Sequence, residues 1–355
     1  MAFEGTVTTS SDLLIPQVLA PMIEQKYTDK QKFTPIAIVD TTLQAQAGKT
    51  IDLPYYTYIG DAEDVGEGED IPVGTLSQDK KQVTVSKFGK GVILTDEDML
   101  YPYGNAMEES LNQIALAMAN KQDNEVLNVL DSDIPDSMTV EYESDVDISS
   151  DLFADALLKY GEDEEGEKIA FVSPKMMNTL RKSEDWIPVT EIGVQVLMSG
   201  VMGMIWGCQI RPSNKITNKF FIVKPGAIKI YLKRGVMFEA DRNIQNQTNL
   251  VVASKIAVVY LYDESKAISV NHVVKATLTV EEVEIADNET EDASVDVDPD
   301  DATVDYEVED TDVATVDSTG EVSGVAEGET TLIVTIEHDD YATRTIEIPI
   351  TITAS

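Results

Sequence analysis

Asp296, Asp298 and Asp300 fall at positions 1, 3 and 5 of a calcium-binding loop, and Glu307 falls at position 12. The chemistry such spacing offers is coordination of a hard cation by carboxylate oxygens. Two residues argue against it. Position 6, where glycine makes the sharp turn, is Asp301, and position 4 is Pro299, while the flanks alternate as strands do. The expectation is a solvated turn between two strands, with weak divalent binding across residues 296–307 as the alternative.

Other reactive residue types are sparse. The chain has two histidines, His272 and His338, far apart in sequence. A Ser-His-Asp site or a histidine metal cluster is hard to assemble from them, so both are expected at the surface. Cys208 is the single cysteine, which rules out an internal disulfide. Its apolar context, Met204-Ile205-Trp206-Gly207-Cys208, predicts a small buried hydrophobe. The glycines of Gly66-Glu67-Gly68 are flanked by acids that would repel phosphate, so no nucleotide loop is expected there. Tyr55, Tyr56 and Tyr58 beside Pro54 read either as a contact surface or as ordinary strand packing. No catalytic, cofactor-binding or metal-ligating residue is therefore assigned, and an enzyme is the least expected class.

The elements that carry these residues follow from length, charge and pattern. At 355 residues, with 43% apolar content, two domains are the default. No apolar run is long enough for a membrane span, and the N-terminus lacks a secretory signal. The net charge of −39 excludes a protein built to grip nucleic acid through phosphate neutralisation. From Thr277 onward there are 24 acidic residues and one basic residue, Arg344, a step in charge that predicts a domain boundary near 276/277.

Residues 1–48, punctuated by Pro16, Pro21 and Pro35, read as an extended arm with no core of its own. It must be ordered against something else, a neighbouring subunit being one candidate. Alternating strands near 50–53 and 82–86 enclose a glycine-rich acidic stretch, which predicts a projecting β-loop over about 50–92. A helix over 105–130 follows, with Asn105 as cap and Glu108 completing a capping box. Its apolar stripe is broken at Lys121-Gln122. Residues of about 150–235 read as α/β, with helices capped by Asp151 and by Ser173, strands at 168–172, 220–223 and 228–232, and two closing strands at 250–252 and 256–262. Beyond Val280 some seven short alternating strands predict a β-sandwich.

This order of arm, long β-loop, long helix, α/β region and returning strands resembles the Hong Kong 97 coat-protein fold of tailed phages. Within it, three groups of residues resemble the N4-type capsid family: Lys87-Phe88-Gly89-Lys90-Gly91 leading to Thr95-Asp96-Glu97-Asp98; Phe171-Val172-Ser173-Pro174-Lys175-Met176; and Phe238-Glu239-Ala240-Asp241-Arg242 before Ala257-Val258-Val259-Tyr260-Leu261-Tyr262-Asp263. The run from Thr311 to Gly320, followed by Val322-Ser323-Gly324-Val325-Ala326-Glu327-Gly328, is similar to the signature of group 2 bacterial immunoglobulin-like domains, with Tyr306 where that family usually has tryptophan.

The resemblance implies an α+β shell domain over 1–276 (N-arm 1–48, extended loop 50–92, spine helix 105–130, capsomer-centre domain about 150–235) and an immunoglobulin-like domain over 277–355. It implies a major capsid protein that assembles with itself, as hexamers and pentamers, into the icosahedral or elongated head around phage double-stranded DNA. The last domain would be displayed outside, where host-surface or carbohydrate contact is one use. Further implied are a portal, a separate scaffolding protein (the arm starts at Met1), synthesis in the bacterial cytoplasm and residence in the virion. Some relatives of this fold crosslink through a lysine in the loop. Lys80, Lys81, Lys87 and Lys90 lie there, and no local pattern singles one out, so crosslinking is not expected. The alternatives are a non-viral compartment shell of the same fold and, from the last domain alone, a bacterial surface adhesin.

Overall fold

The computed structural model describes residues 24–45, 48, 50–56, 78–100, 106–146, 148–182, 187–188, 203–287 and 289–354. They fall in two compact units, one comprising residues up to Val129 with Ile228–Tyr262, the other Leu130–Ala227 with Asp263 onward.

In the first unit a four-stranded sheet runs β1-β11-β12-β4, with β1 Ile38–Asp40, β4 Ser86–Thr95, β11 Ile228–Asn243 and β12 Thr248–Leu261. β12 is one continuous strand in place of the two expected at 250–252 and 256–262. Polar Ser254 and Lys255 interrupt the apolar run without ending the strand, because both are buried and hydrogen-bonded. A Cβ on Gly89 would stand 2.5 Å from the carbonyl oxygen of Ala253. Only glycine lets β4 lie this close to β12, which explains the Phe88-Gly89-Lys90 motif. β2 Thr50–Tyr56 and β3 Gln78–Thr84 form a separate two-stranded hairpin, Thr50 opposite Thr84 and Tyr56 opposite Gln78. α1 spans residues 24–30 and α2 Asp96–Leu100.

The long helix α3 runs Ala106–Ser132, about 40 Å at its ~1.5 Å rise. Leu111, Ile114, Ala115, Met118, Ala119 and Val126 are buried at helical spacing. The helix does not break at Lys121-Gln122. The apolar stripe is interrupted there because Gln122 and Asp123, each 1% exposed, receive another segment of the chain. Asn105 lies outside the described residues.

The second unit holds a seven-stranded mixed sheet, order β5-β13-β10-β6-β9-β8-β7. Its strands are β5 Thr139–Glu143, β6 Lys168–Val172, β7 Ile187–Pro188, β8 Gly203–Ile205, β9 Cys208–Pro212, β10 Lys219–Val223 and β13 Ala267–Val273. β5 and β13 fall outside the 150–235 stretch, whereas residues 228–235 lie in β11 of the other sheet. Every residue of β6 is buried, as expected for a strand flanked by neighbours and covered by helices. Helices α4 (Ser150–Leu157) and α5 (Pro174–Leu180) pack Phe153, Ala156, Leu157, Met176, Met177 and Leu180 against Ala170, Val172, Phe220 and Ile222. Cys208 is fully buried in this core. Ser173 caps α5 through the Met176 amide at 3.2 Å. The cap of α4 is Ser149 rather than Asp151: its Oγ accepts the Leu152 amide, because Asp151 is already in the first helical turn.

The C-terminal part of this unit is all β. A four-stranded sheet is ordered β15-β22-β21-β18, a three-stranded one β16-β20-β19, and β14 pairs with β17. These are β14 Lys275–Leu278, β15 Val283–Ala286, β16 Thr290–Asp292, β17 Val295–Asp298, β18 Thr303–Val308, β19 Ala314–Val316, β20 Glu321–Gly324, β21 Gly328–Glu337 and β22 Arg344–Thr353, nine strands rather than seven. The extra ones are three-residue edge pieces too short to show alternation. Alternation in β21 and β22 places Leu332, Val334, Ile336, Ile348, Ile350 and Ile352 in one core. Each contributes about 1.5–3 kcal/mol of burial before chain entropy is charged against it.

Candidate functional site: an arm cradle and a β-domain junction

Two polar clusters stand out, one in each unit. In the first, the Asp123 carboxylate accepts the amides of Lys32 at 3.0 Å and Phe33 at 3.2 Å and the Thr34 hydroxyl at 3.3 Å. Beside it the Gln122 carbonyl oxygen accepts from the Tyr27 hydroxyl and from Lys255 Nζ at 2.9 Å. Tyr27, Phe33 and Ile36 are buried around this pair, and β1 continues the segment as a parallel edge of the sheet, Ile38 opposite Lys229. Burial lowers the Lys255 ammonium to about 8 and raises the Tyr27 phenol above its ordinary value, with Asp123 adding to the latter. Residues 24–40 are ordered against α3 and the sheet of their own chain, because α3 supplies a buried carboxylate and amide that an apolar stripe could not.

The second cluster joins the C-terminal β-domain to β5 and β13. Arg344 reaches Glu143 at 3.2 Å, Glu141 at 3.6 Å and the Val274 carbonyl at 3.1 Å. Lys275 pairs with Asp145 at 2.6 Å, and that hydrogen bond holds the exposed Asp145 carboxyl below its ordinary range. The Asn218 amide donates to the carbonyls of Asp339 and Tyr341, and the Ala342 amide to the His272 carbonyl.

Both histidines sit here, half-buried rather than free at the surface. His272 stacks on Tyr142 with ring centroids 4.4 Å apart, and Tyr341 meets His272 edge-on at 4.7 Å and His338 at 5.0 Å. His338 Nδ1 accepts the Asp340 amide at 2.9 Å while Nε2 faces Asp301 at 3.1 Å. The sequence could not place them because 65 residues of intervening β-domain bring His338 back to His272. A crevice of about 390 Å3 beside them is lined by Tyr142, Ser173, Lys175, Asn218, His272 and Tyr341. Ser173 and Asn218 already spend their hydrogen bonds on the chain itself, so the crevice reads as packing at the junction.

The aspartate turn is not drawn into a loop. Asp296 and Asp298 lie in β17, paired with β14, whereas Glu307 lies in β18, paired with β21 in another sheet. Among the described residues no group of three or more His, Cys, Asp or Glu could hold a metal ion. The Asp317–Gly320 run is a structural turn: the Asp317 carboxylate accepts the amides of Thr319 and Glu321 and the Thr319 hydroxyl, which together keep it below the ordinary carboxylate range. Gly320 has φ +92°, and a Cβ there would stand 2.8 Å from Ser294 Cα and 3.0 Å from the Tyr306 ring. The Tyr306 hydroxyl accepts the Val295 amide. Lys87 and Lys90 are exposed on β4; Lys80, Lys81, Tyr55 and Tyr56 lie on the β2–β3 hairpin. The side chains of those last four, together with Tyr58, Gly66 and Gly68, lie outside the described residues.

Sequence reasoning missed both clusters. Their signals were present as exceptions: two polar residues inside an apolar helical stripe, and one arginine in an acidic domain.

Residues 78–271 match the family described as phage capsid protein, and residues 272–346 match the bacterial Ig-like domain (group 2). The chain is 35% identical over 268 residues to the major capsid protein of Staphylococcus phage phiMR11, across 74% of this chain and 95% of that protein. Among solved structures it is similar to the capsid of Ralstonia phage GP4, with TM-score 0.57 and 10% identity over 68% of this chain and 90% of that one. It is also similar to the mature capsid of bacteriophage PhiM1, with TM-score 0.51 and 14% identity over 76% and 90%. At such identities the structural likeness is one of fold.

Proposed function

This chain belongs to the phage capsid protein family, and on that premise we propose how it builds a phage head. It is a structural, shell-forming protein and a virion component, not an enzyme. It has the Hong Kong 97-type fold followed by an immunoglobulin-like domain, and copies of it assemble into a multimeric shell. Neither a cargo compartment nor an adhesin is favoured, since its 35%-identical relative is a phage major capsid protein.

The finer reading is that residues 1–276 form the shell and 277–355 an outward domain. Hexamers and pentamers would close an icosahedral or elongated head around double-stranded DNA, after synthesis in the host cytoplasm and with a portal and a separate scaffolding protein as helpers. The observation that carries it is the β2–β3 hairpin: among the described residues its strands pair only with each other, and a lone two-stranded hairpin is marginal in water. Lying across an adjacent subunit would complete it, ordering entropy being offset by buried area. The net charge of −39 supports containing DNA without gripping it. The C-terminal domain, held by Arg344 and Lys275, would present a fixed acidic surface outside, available for host-surface or carbohydrate contact.

Electron microscopy of the purified protein tests this. Closed particles are expected from the full chain, and a soluble subunit that forms none from a chain lacking about residues 60–76. Normal shells from that deletion would refute the role of the loop.

A further inference from the structure

In the half of the seven-stranded sheet away from β5, next to edge strand β7, strands β8 and β9 are joined by a two-residue turn, Trp206-Gly207, with Ile205 opposite Cys208. Both turn residues have positive φ, +46° at Trp206 and +74° at Gly207. Such hairpin turns favour Asn-Gly, because asparagine tolerates the left-handed region and a bulky aromatic does not. Trp206 gains little in return within its own chain: it is 51% exposed, at a hairpin tip. A strained backbone and a half-exposed indole at one position are two local penalties, and among the described residues only half of the indole is covered in return.

We propose that Trp206 is an anchor for contact with a second copy of this chain, inserted into a surface of the neighbouring subunit during shell assembly. The proposal rests on the shell-forming reading. The occupant follows from three observations. Copies of the chain assemble with one another, so a second copy is the partner at highest local concentration. The opposite end of the sheet, at β5, is already taken by the C-terminal β-domain through Arg344. The net charge of −39 makes copies repel at a distance, so association must come from local desolvated anchors, and tryptophan is the side chain that gives most per residue.

The surroundings also decide the symmetry of the contact. β6 runs parallel to β9 with Lys168 beside Cys208, and Gln209 holds Glu167 at 2.8 Å. Exposed Glu167 therefore lies beside the tip, with exposed Glu165 two residues before it in the chain. Two identical tips meeting face to face would oppose acid to acid. The contact is thus heterologous, tip against a different surface of the next copy, the kind that closes into rings.

The test uses the full chain with Trp206→Asn, alongside a chain carrying Trp186→Phe so that Trp206 is its sole indole. Asparagine suits the turn, so the Trp206→Asn subunit should melt at or above the wild-type temperature. It should also need at least about tenfold more protein to form particles, as loss of a central anchor requires. In the Trp186→Phe chain, emission should move to shorter wavelength as particles form. Wild-type particles with an unaffected Trp206→Asn threshold, or Trp206 emission unchanged on assembly, would overturn this assignment alone. A Trp206→Asn subunit that fails to fold would place the residue in the core and overturn it as well. A wild-type chain that forms no particles would overturn the shell reading beneath it.

Discussion

Arg344 Nη1 lies 3.2 Å from Glu143 Oε1, so the one basic residue after Thr277 is committed to strand β5 of the preceding sheet. With Glu141 at 3.6 Å and the Val274 carbonyl at 3.1 Å, the guanidinium answers two carboxylates and a backbone oxygen while only 20% exposed. This contact joins the β-domain to the preceding sheet together with Lys275–Asp145 and the Asn218 bonds. Replacement by leucine should cost about 1–3 kcal/mol, since the carboxylates lose their partner and repel. Limited proteolysis should then cut near 274–280 at protease levels that spare the wild type. Equal resistance would show that Lys275–Asp145 and the Asn218 bonds suffice.

Asp123→Ala should release residues 31–36. Two amides and a hydroxyl lose one buried acceptor, a penalty of about 3 kcal/mol. Hydrogen exchange is the direct readout: the Lys32 and Phe33 amides should exchange much faster, with β6 and β10 unchanged.

Lys255 makes stability depend on alkaline pH in a definite direction. Its folded pKa is lowered to about 8 from 10.5, so between those values the unfolded chain holds a proton the folded chain has shed. Stability should therefore rise as pH increases from about 8, by on the order of 2–3 kcal/mol. The rise should end near pH 10, where the raised Tyr27 pKa acts oppositely: the unfolded phenol ionises first and favours unfolding. Denaturant titrations at several pH values check this, and Lys255→Met should flatten the rise.

Gly320→Ala should weaken the C-terminal domain by about 2–3 kcal/mol, combining a left-handed φ with contacts to Ser294 and Tyr306 that cannot open. Asp317→Ala, which removes hydrogen bonds at an exposed turn, should cost less. Denaturant unfolding of the two variants ranks them.

Much of the architecture was legible because it rests on local pattern. The Asp317-Ser318-Thr319-Gly320 turn, the Ser173-Pro174 helix start and the alternation of Leu332, Val334 and Ile336 each bear their physical cause within a few residues. The cap at Ser149 was misplaced by two residues because Asp151 is an equally good capping type in the first turn. Polarity alone puts the histidines at the surface, whereas the Tyr142 ring stacked on His272 and the Tyr341 ring edge-on to both are tertiary facts.

Composition and local pattern were enough to identify the class of this protein. Its charge excludes a phosphate-gripping surface, its scarcity of histidine and cysteine leaves catalysis without a constellation, and its ordered local motifs specify a capsid fold with an immunoglobulin-like domain appended. Where the exceptions go is set by long-range packing. Gln122 and Asp123 hold the arm, Arg344 holds the β-domain, and Lys255 is buried rather than solvated. The reason is that a polar residue's value depends on its partner, and these partners lie some 90 to 200 residues away along the chain, beyond any local period.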